Sequence, residues 1–184
     1  MKPRTQKTAL VTGASGGIGN AIAECFARDG HDLVITARNA QALAAIAADW
    51  SSRYGVRVTP FTADLARADG AQRLADEVAA SGIAIDFLVN NAGYGLFGEF
   101  TELRLEDELA MMTLNMTSLT VLTKRFLAVD GTSRLRIRGR ESGRMSAVPT
   151  RLTAGIVVLP QTDPDSRATV AKESGGSRCP RLLN

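Results

Sequence analysis

Apolar positions recur along this chain with two alternating periods. "TALVT" (Thr8–Thr12) is a short apolar run ending in a glycine-rich turn, and it predicts a buried strand. Ile18, Ile22 and Phe26 then recur at helical spacing, and Gly30 stops that helix. "DLVITA" predicts a second buried strand. Asn39 stands where it can cap a helix whose Leu43, Ile46, Ala47 and Trp50 share one face. "VRVTPF" predicts a third strand, near an edge or ending at Pro60. "ADGAQRLADEVAASG" predicts a helix closed by Gly82, and "IAIDFLVN" a fourth strand. A long amphipathic helix follows, with Leu105, Leu109, Met112, Met116, Leu119, Leu122 and Phe126 spaced by threes and fours.

Strands alternating with helices across short loops imply βαβ units. Right-handed crossovers then give an α/β fold with a doubly wound, Rossmann-like parallel sheet of strand order 3-2-1-4. The pattern fails after Phe126, the last aromatic residue of the chain. Arginine contributes 9 of the residues from Asp130 onward and 9 of those before it, and four of the six prolines lie in this tail. Only "AGIVVLP" (Ala154–Pro160) has the look of a strand there. The expected organisation is therefore a dinucleotide-binding domain over residues 1–128 and a basic, irregular tail over 129–184, leaving the fold incomplete.

The 184 residues suit one domain, and the apolar content of 45% argues against disorder throughout. The net charge of +3 divides unevenly. Up to Val129 there are 12 Lys and Arg against 14 Asp and Glu; beyond it there are 10 against 5. A basic tail invites comparison with nucleic-acid binders. This one has no aromatic residue for base stacking, so nucleic acid is not the expected partner. No stretch approaches the length of a membrane span, and no apolar segment precedes the first turn as a secretory signal would. Cys25 and Cys179 do not make a disulfide framework, and Cys25 reads as a small core residue. A cytoplasmic setting fits. No metal site is assigned, and homo-oligomerisation is left open.

The chemistry lies in "VTGASGGIG" (Val11–Gly19), between the first strand and the first helix. A helix N-terminus offers unpaired N–H groups and a positive dipole end to an anionic pyrophosphate. Gly13 lets the chain turn sharply, Gly17 lets backbone approach a phosphate, and Gly19 permits close helix packing. The spacing is Thr-Gly-x-x-x-Gly-x-Gly. It is followed by Asp64 in "TADL" after the third strand, "NNAG" (Asn90–Gly93) after the fourth, and Asn115 in "LNMTS" on the long helix. In order and spacing these four motifs resemble the short-chain dehydrogenase/reductase family over residues of roughly 8 to 127.

The resemblance implies that Asp64 contacts the adenine and that Asn90 braces the central sheet beside the cofactor. It implies that Asn115 is one of four catalytic residues, holding a water for proton relay. Ser15, Ile18, Ala92 and Gly93 complete the candidate cofactor contacts. Each has a plainer reading: Asp64 as a helix cap, Asn90 as a strand-end turn residue, Asn115 as a satisfied core amide. The cofactor type follows from charge. An acid at the end of the second strand would bind a ribose 2′-hydroxyl and repel a 2′-phosphate. Here "ITARN" places Ala37 and then Arg38 there, and a guanidinium pairs well with a phosphate, to which Ser15 can also bond. NADP is favoured over NAD.

The family's acid–base pair, Tyr-x-x-x-Lys on a helix, is missing. The two tyrosines, Tyr54 and Tyr94, are followed four residues later by Val58 and Gly98. The sole histidine, His31, reads as a loop residue. The expected function is that of an NADP-dependent oxidoreductase-like chain, transferring hydride to or from a small carbonyl or alcohol substrate in complete relatives, with little or no turnover here. The alternative is a non-catalytic dinucleotide-binding or interaction module. The abrupt shift after Leu127 towards arginine, glycine, serine and proline reads as translation out of frame, with a genuine divergent tail as the alternative.

Overall fold

The computed structural model describes residues 6–127 and 156–158, with the side chains of residues 6–126. The elements run β1 (Thr8–Thr12), α1 (Gly17–Arg28), β2 (Asp32–Ala37), α2 (Ala40–Tyr54), β3 (Val58–Thr62), α3 (Gly70–Ala80) and β4 (Phe87–Asn90). After them come α4 (Leu105–Met112), a π-helical turn (Thr113–Ser118), α5 (Leu119–Leu127) and β5 (Ile156–Val158). All strand pairs are parallel, in the order β3-β2-β1-β4-β5.

The continuous apolar strands follow from burial on both faces. Ala9, Val11, Leu33 and Ile35 pack under Phe26 of α1 and Leu43 and Trp50 of α2. The alternate residues Leu10, Val34 and Leu88 face Leu74 and Val78 of α3 and Leu122 of α5. Asn39 caps α2 as its position predicts, its Oδ1 accepting the Ala42 N–H at 3.0 Å. β3 is the edge strand, which is where Pro60 can omit a ladder donor. His31 lies at the amino end of β2, its ring packed 5.8 Å from Phe26 and 5.5 Å from Phe87.

Four expectations are corrected. β4 begins at Phe87, later than the apolar run, because Asp86 closes the start of the ladder. Its backbone N–H donates to the Thr8 carbonyl, and its carboxylate accepts the Thr8 N–H at 2.8 Å. Second, the strand order does not end at β4. Ile156–Val158 pairs with Leu88–Asn90 in parallel, so the tail contributes a fifth strand. Third, Cys25 is half-buried, rather than enclosed in the core. Fourth, the long helix does not bury its stripe evenly. Leu122 is buried, but Leu105 and Met116 are 62% and 61% exposed, and α4 has no buried residue.

Candidate functional site

The sheet reverses its winding between β1 and β4, since β2 and β3 lie to one side of β1 and β4 to the other. Loops leaving the carboxyl ends of such neighbouring strands diverge and open a crevice, where ligands bind in open α/β sheets. The predicted residues collect at that end: Gly13–Gly19 after β1, Arg38 after β2, Asp64 after β3 and Asn90–Gly93 after β4.

Thr12, the last residue of β1, ties the first of these loops to the last. Its hydroxyl accepts the N–H groups of Asn91 and Ala92, each at 2.9 Å, and donates to the Val89 carbonyl at 3.3 Å. Asn91 returns a bond from Nδ2 to the Thr12 carbonyl at 3.0 Å. Gly13 turns back with φ 70, its N–H donating to the Thr36 carbonyl at 2.8 Å. Gly19 is required by contact rather than by torsion. A Cβ there would lie 2.5 Å from the Gly13 carbonyl oxygen and overlap the Asn91 amide. Helix α1 therefore starts tight against both loops.

The start of α1 is open. Gly16 caps it without a side-chain bond, and its first turn holds no acidic residue. Ser15, Gly17 and Ile18 are exposed, and a Cβ at Gly17 would meet nothing within 4 Å. The N–H groups of this turn can take an external anion. Arg38 is exposed and forms no salt bridge with a described residue.

Asp64 is half-buried and does not cap α3. Its Oδ1 accepts the Ala66 N–H at 3.1 Å, shaping the turn that enters the helix. Asn90 is buried, and its Nδ2 donates to the Thr123 hydroxyl of α5 at 3.1 Å. Asn115 sits in the π-helical turn, a feature concentrated at functional sites. Its amide grips the backbone of Tyr94 from both sides: Oδ1 accepts the Tyr94 N–H at 3.2 Å, and Nδ2 donates to its carbonyl at 2.8 Å. Asn115 is thus turned to the loop after β4, while Met112 and Met116 beside it are exposed. Gly93 lies between Ala92 and Tyr94 and is held through both.

Sequence reasoning missed Thr12, Asn91, Ser118 and Thr123. Thr12 had a signal, as a hydroxyl directly before the first glycine. Asn91 and Ser118 stood inside the quoted motifs "NNAG" and "LNMTS" without a role, and Thr123 lay outside every motif, because their partners lie 33 to 79 residues away.

A parallel sheet with a glycine-rich turn opening the first helix at the switch point defines a dinucleotide-binding fold of the Rossmann type. The family model described as short chain dehydrogenase matches residues 7–134, and the chain belongs to that family. It is 37% identical over 122 residues to an uncharacterised oxidoreductase, YmfI, of Bacillus subtilis, covering 66% of this chain and 49% of the relative. It is 36% identical over 129 residues to D-threitol dehydrogenase of Mycolicibacterium smegmatis, covering 68% and 49%. Among solved structures it resembles a short-chain dehydrogenase from Sphingobium yanoikuyae in complex with NADPH. There the TM-score is 0.62 at 39% identity, over 66% of this chain and 47% of that one. L-sorbose reductase of Gluconobacter frateurii, complexed with NADPH and L-sorbose, matches with a TM-score of 0.63 at 33% identity, over 67% and 47%. The chain spans about half the length of the curated relatives it matches.

Proposed function

We propose that residues 1–128 form an NADP(H)-binding unit of an oxidoreductase that acts on a small carbonyl or alcohol substrate. The observation that carries this is the open start of α1 at the switch point, beside the loop after β4 to which Thr12 binds it. The pyrophosphate would lie on the N–H groups of Gly17, Ile18 and Gly19. Arg38, with Ser15, would take the 2′-phosphate, where no carboxylate at the end of β2 opposes it. Asp64 would receive the adenine. Asn90, Ala92 and Gly93 would form the wall at the nicotinamide end. Bound NADPH supplies a hydride donor; the chain supplies its orientation.

Asn115 is the one residue of the family's catalytic set that this reading assigns. The 184 residues hold no Tyr-x-x-x-Lys, and no described side chain takes that pair's place. A ketone oxygen accepting hydride needs a proton donor, and general acid help of this kind contributes typically 10²–10⁴-fold. Binding with little or no turnover is the expected behaviour. The same absence favours a second reading, a dinucleotide-binding module without catalysis. The cytoplasmic setting, the boundary near residue 128 and any homo-oligomer belong to the proposal as well.

Titration of the full chain with NADPH and NADH, followed by nicotinamide fluorescence, tests the binding. NADPH is expected to bind more tightly, and carbonyl-dependent NADPH oxidation to stay near background. Rapid oxidation would restore the enzyme reading. Absence of binding to either nucleotide would remove both readings.

A further inference from the structure

One hydrogen bond at the inner end of the π-helical turn is not absorbed by the site described above. Ser118 is 2% exposed, and its hydroxyl donates to the Leu65 carbonyl at 2.6 Å. Leu65 immediately follows Asp64 and is itself buried. The turn they form is fixed on two further sides. The Asp64 carboxylate accepts the Ala66 N–H, and Gly70 at the start of α3 sits so close that a Cβ there would overlap the Asp64 carbonyl. Ser118 is the one side chain from another element that the described hydrogen bonds bring to this turn.

The same helical turn therefore carries two polar pins pointing to opposite ends of the crevice. Asn115 holds the backbone of Tyr94, in the loop after β4, and Ser118 holds the backbone of Leu65, in the loop after β3. We infer that Ser118 is a positioning residue for the adenosine half of the nucleotide, acting through the Asp64–Leu65 turn. This rests on the NADP(H) reading above and assigns a role to a residue outside it. A carboxylate that must meet a planar base tolerates little displacement. The Asp64 side chain is already spent on its own turn at one oxygen, so the direction of its other oxygen follows the backbone that Ser118 anchors. A buried carbonyl that loses its donor relaxes towards another partner, and the turn moves with it.

The test uses the full chain and adenosine 2′,5′-bisphosphate, which carries the adenine and the 2′-phosphate but no nicotinamide. Its affinity is measured by calorimetry for the unsubstituted chain, Ser118→Ala, Ser118→Cys, Asp64→Ala and the Ser118→Ala/Asp64→Ala double variant. Ser118→Ala is expected to weaken binding about fivefold, as loss of one buried hydrogen bond implies. Ser118→Cys, similar in size but a weaker donor, should fall between, and it decides the matter if the alanine variant does not fold. In the Asp64→Ala background the effect of Ser118→Ala should shrink below about twofold, because the two act through one turn. Unchanged affinity in Ser118→Ala, or an equal loss with and without Asp64, overturns the inference and leaves the NADP(H) reading standing. An unsubstituted chain that does not bind the bisphosphate overturns that reading, and this inference with it.

Discussion

Arg38 leaves the carboxyl end of β2 exposed, and no described carboxylate neutralises it. A guanidinium in that place would favour NADP(H), which carries one phosphate more than NAD(H). Arg38→Ala is expected to weaken NADPH roughly tenfold and NADH little, since a charge-assisted phosphate contact contributes about 1.5–3 kcal/mol. Equal losses for the two nucleotides, measured by fluorescence titration, would exclude the 2′-phosphate role. A second residue responds to pH. Glu24 of α1 accepts the Tyr54 hydroxyl at 2.6 Å from the end of α2, with Arg28 at 3.1 Å and Arg53 at 3.8 Å. The Tyr54 hydrogen bond is the main reason its carboxyl titrates below the ordinary 4.5; partial burial opposes the shift and the arginines assist it. A lowered folded value means that the folded state binds its proton less readily than the unfolded chain. The stabilisation is complete above 4.5 and fades as pH falls through the folded value. Glu24→Gln should therefore melt below the unsubstituted chain at about pH 6, and the gap should narrow as pH falls below 4.5. A gap of constant size across that range would show that the contact does not depend on charge.

At the scale of elements, what the sequence discloses depends on how local the cause is. The strands were legible because burial on both faces forces unbroken apolar runs such as "LVIT". The Asn39 cap and the Gly13 turn were legible because their causes lie within a few residues. The later start of β4 was not, because Asp86 answers to Thr8 across the sheet. The long helix marks the limit most clearly. Its stripe of threes and fours predicts one apolar face, but a π-helical turn interrupts the spacing, and periodicity does not say what covers a face. Leu105, Leu109, Met112 and Met116 stand exposed, with Phe97 and Phe100 nearby in sequence also exposed. A patch of this kind binds hydrophobic dyes. Leu109→Lys/Met116→Lys is expected to reduce anilinonaphthalene sulfonate fluorescence of the full chain by more than half, with little change in melting temperature. If melting drops sharply while dye binding stays, those side chains are packed and the exposed-stripe description fails.

For the whole molecule the question is why the pattern breaks at one point. Motifs and periodicity are continuous to Phe126, and the family match runs to residue 134. Beyond that lies a composition of arginine, glycine, serine and proline, without an aromatic residue. Gradual divergence would blur an amphipathic pattern across several elements; a change of reading frame ends it at one codon. The pairing of β5 with β4 weighs on the other side, but lightly. Three β-branched residues, Ile156, Val157 and Val158, suffice to dock beside an apolar edge, and so short a pairing specifies little. A linker could share the tail's composition, but it would not replace the strand and helix that carry the acid–base pair in the family. We therefore expect that translating the gene in its other two forward frames, from the codons near Lys124, yields in one of them an apolar strand, a serine and then Tyr-x-x-x-Lys. A protein rebuilt in that frame should bind NADPH at least as tightly as the present chain, because the proposed cofactor residues precede the junction, and should gain carbonyl reduction. If neither frame contains the motif, the tail is a sequence in its own right. Val157→Pro, which strips a backbone donor from β5, should then lower the stability of the full chain rather than leave it unchanged.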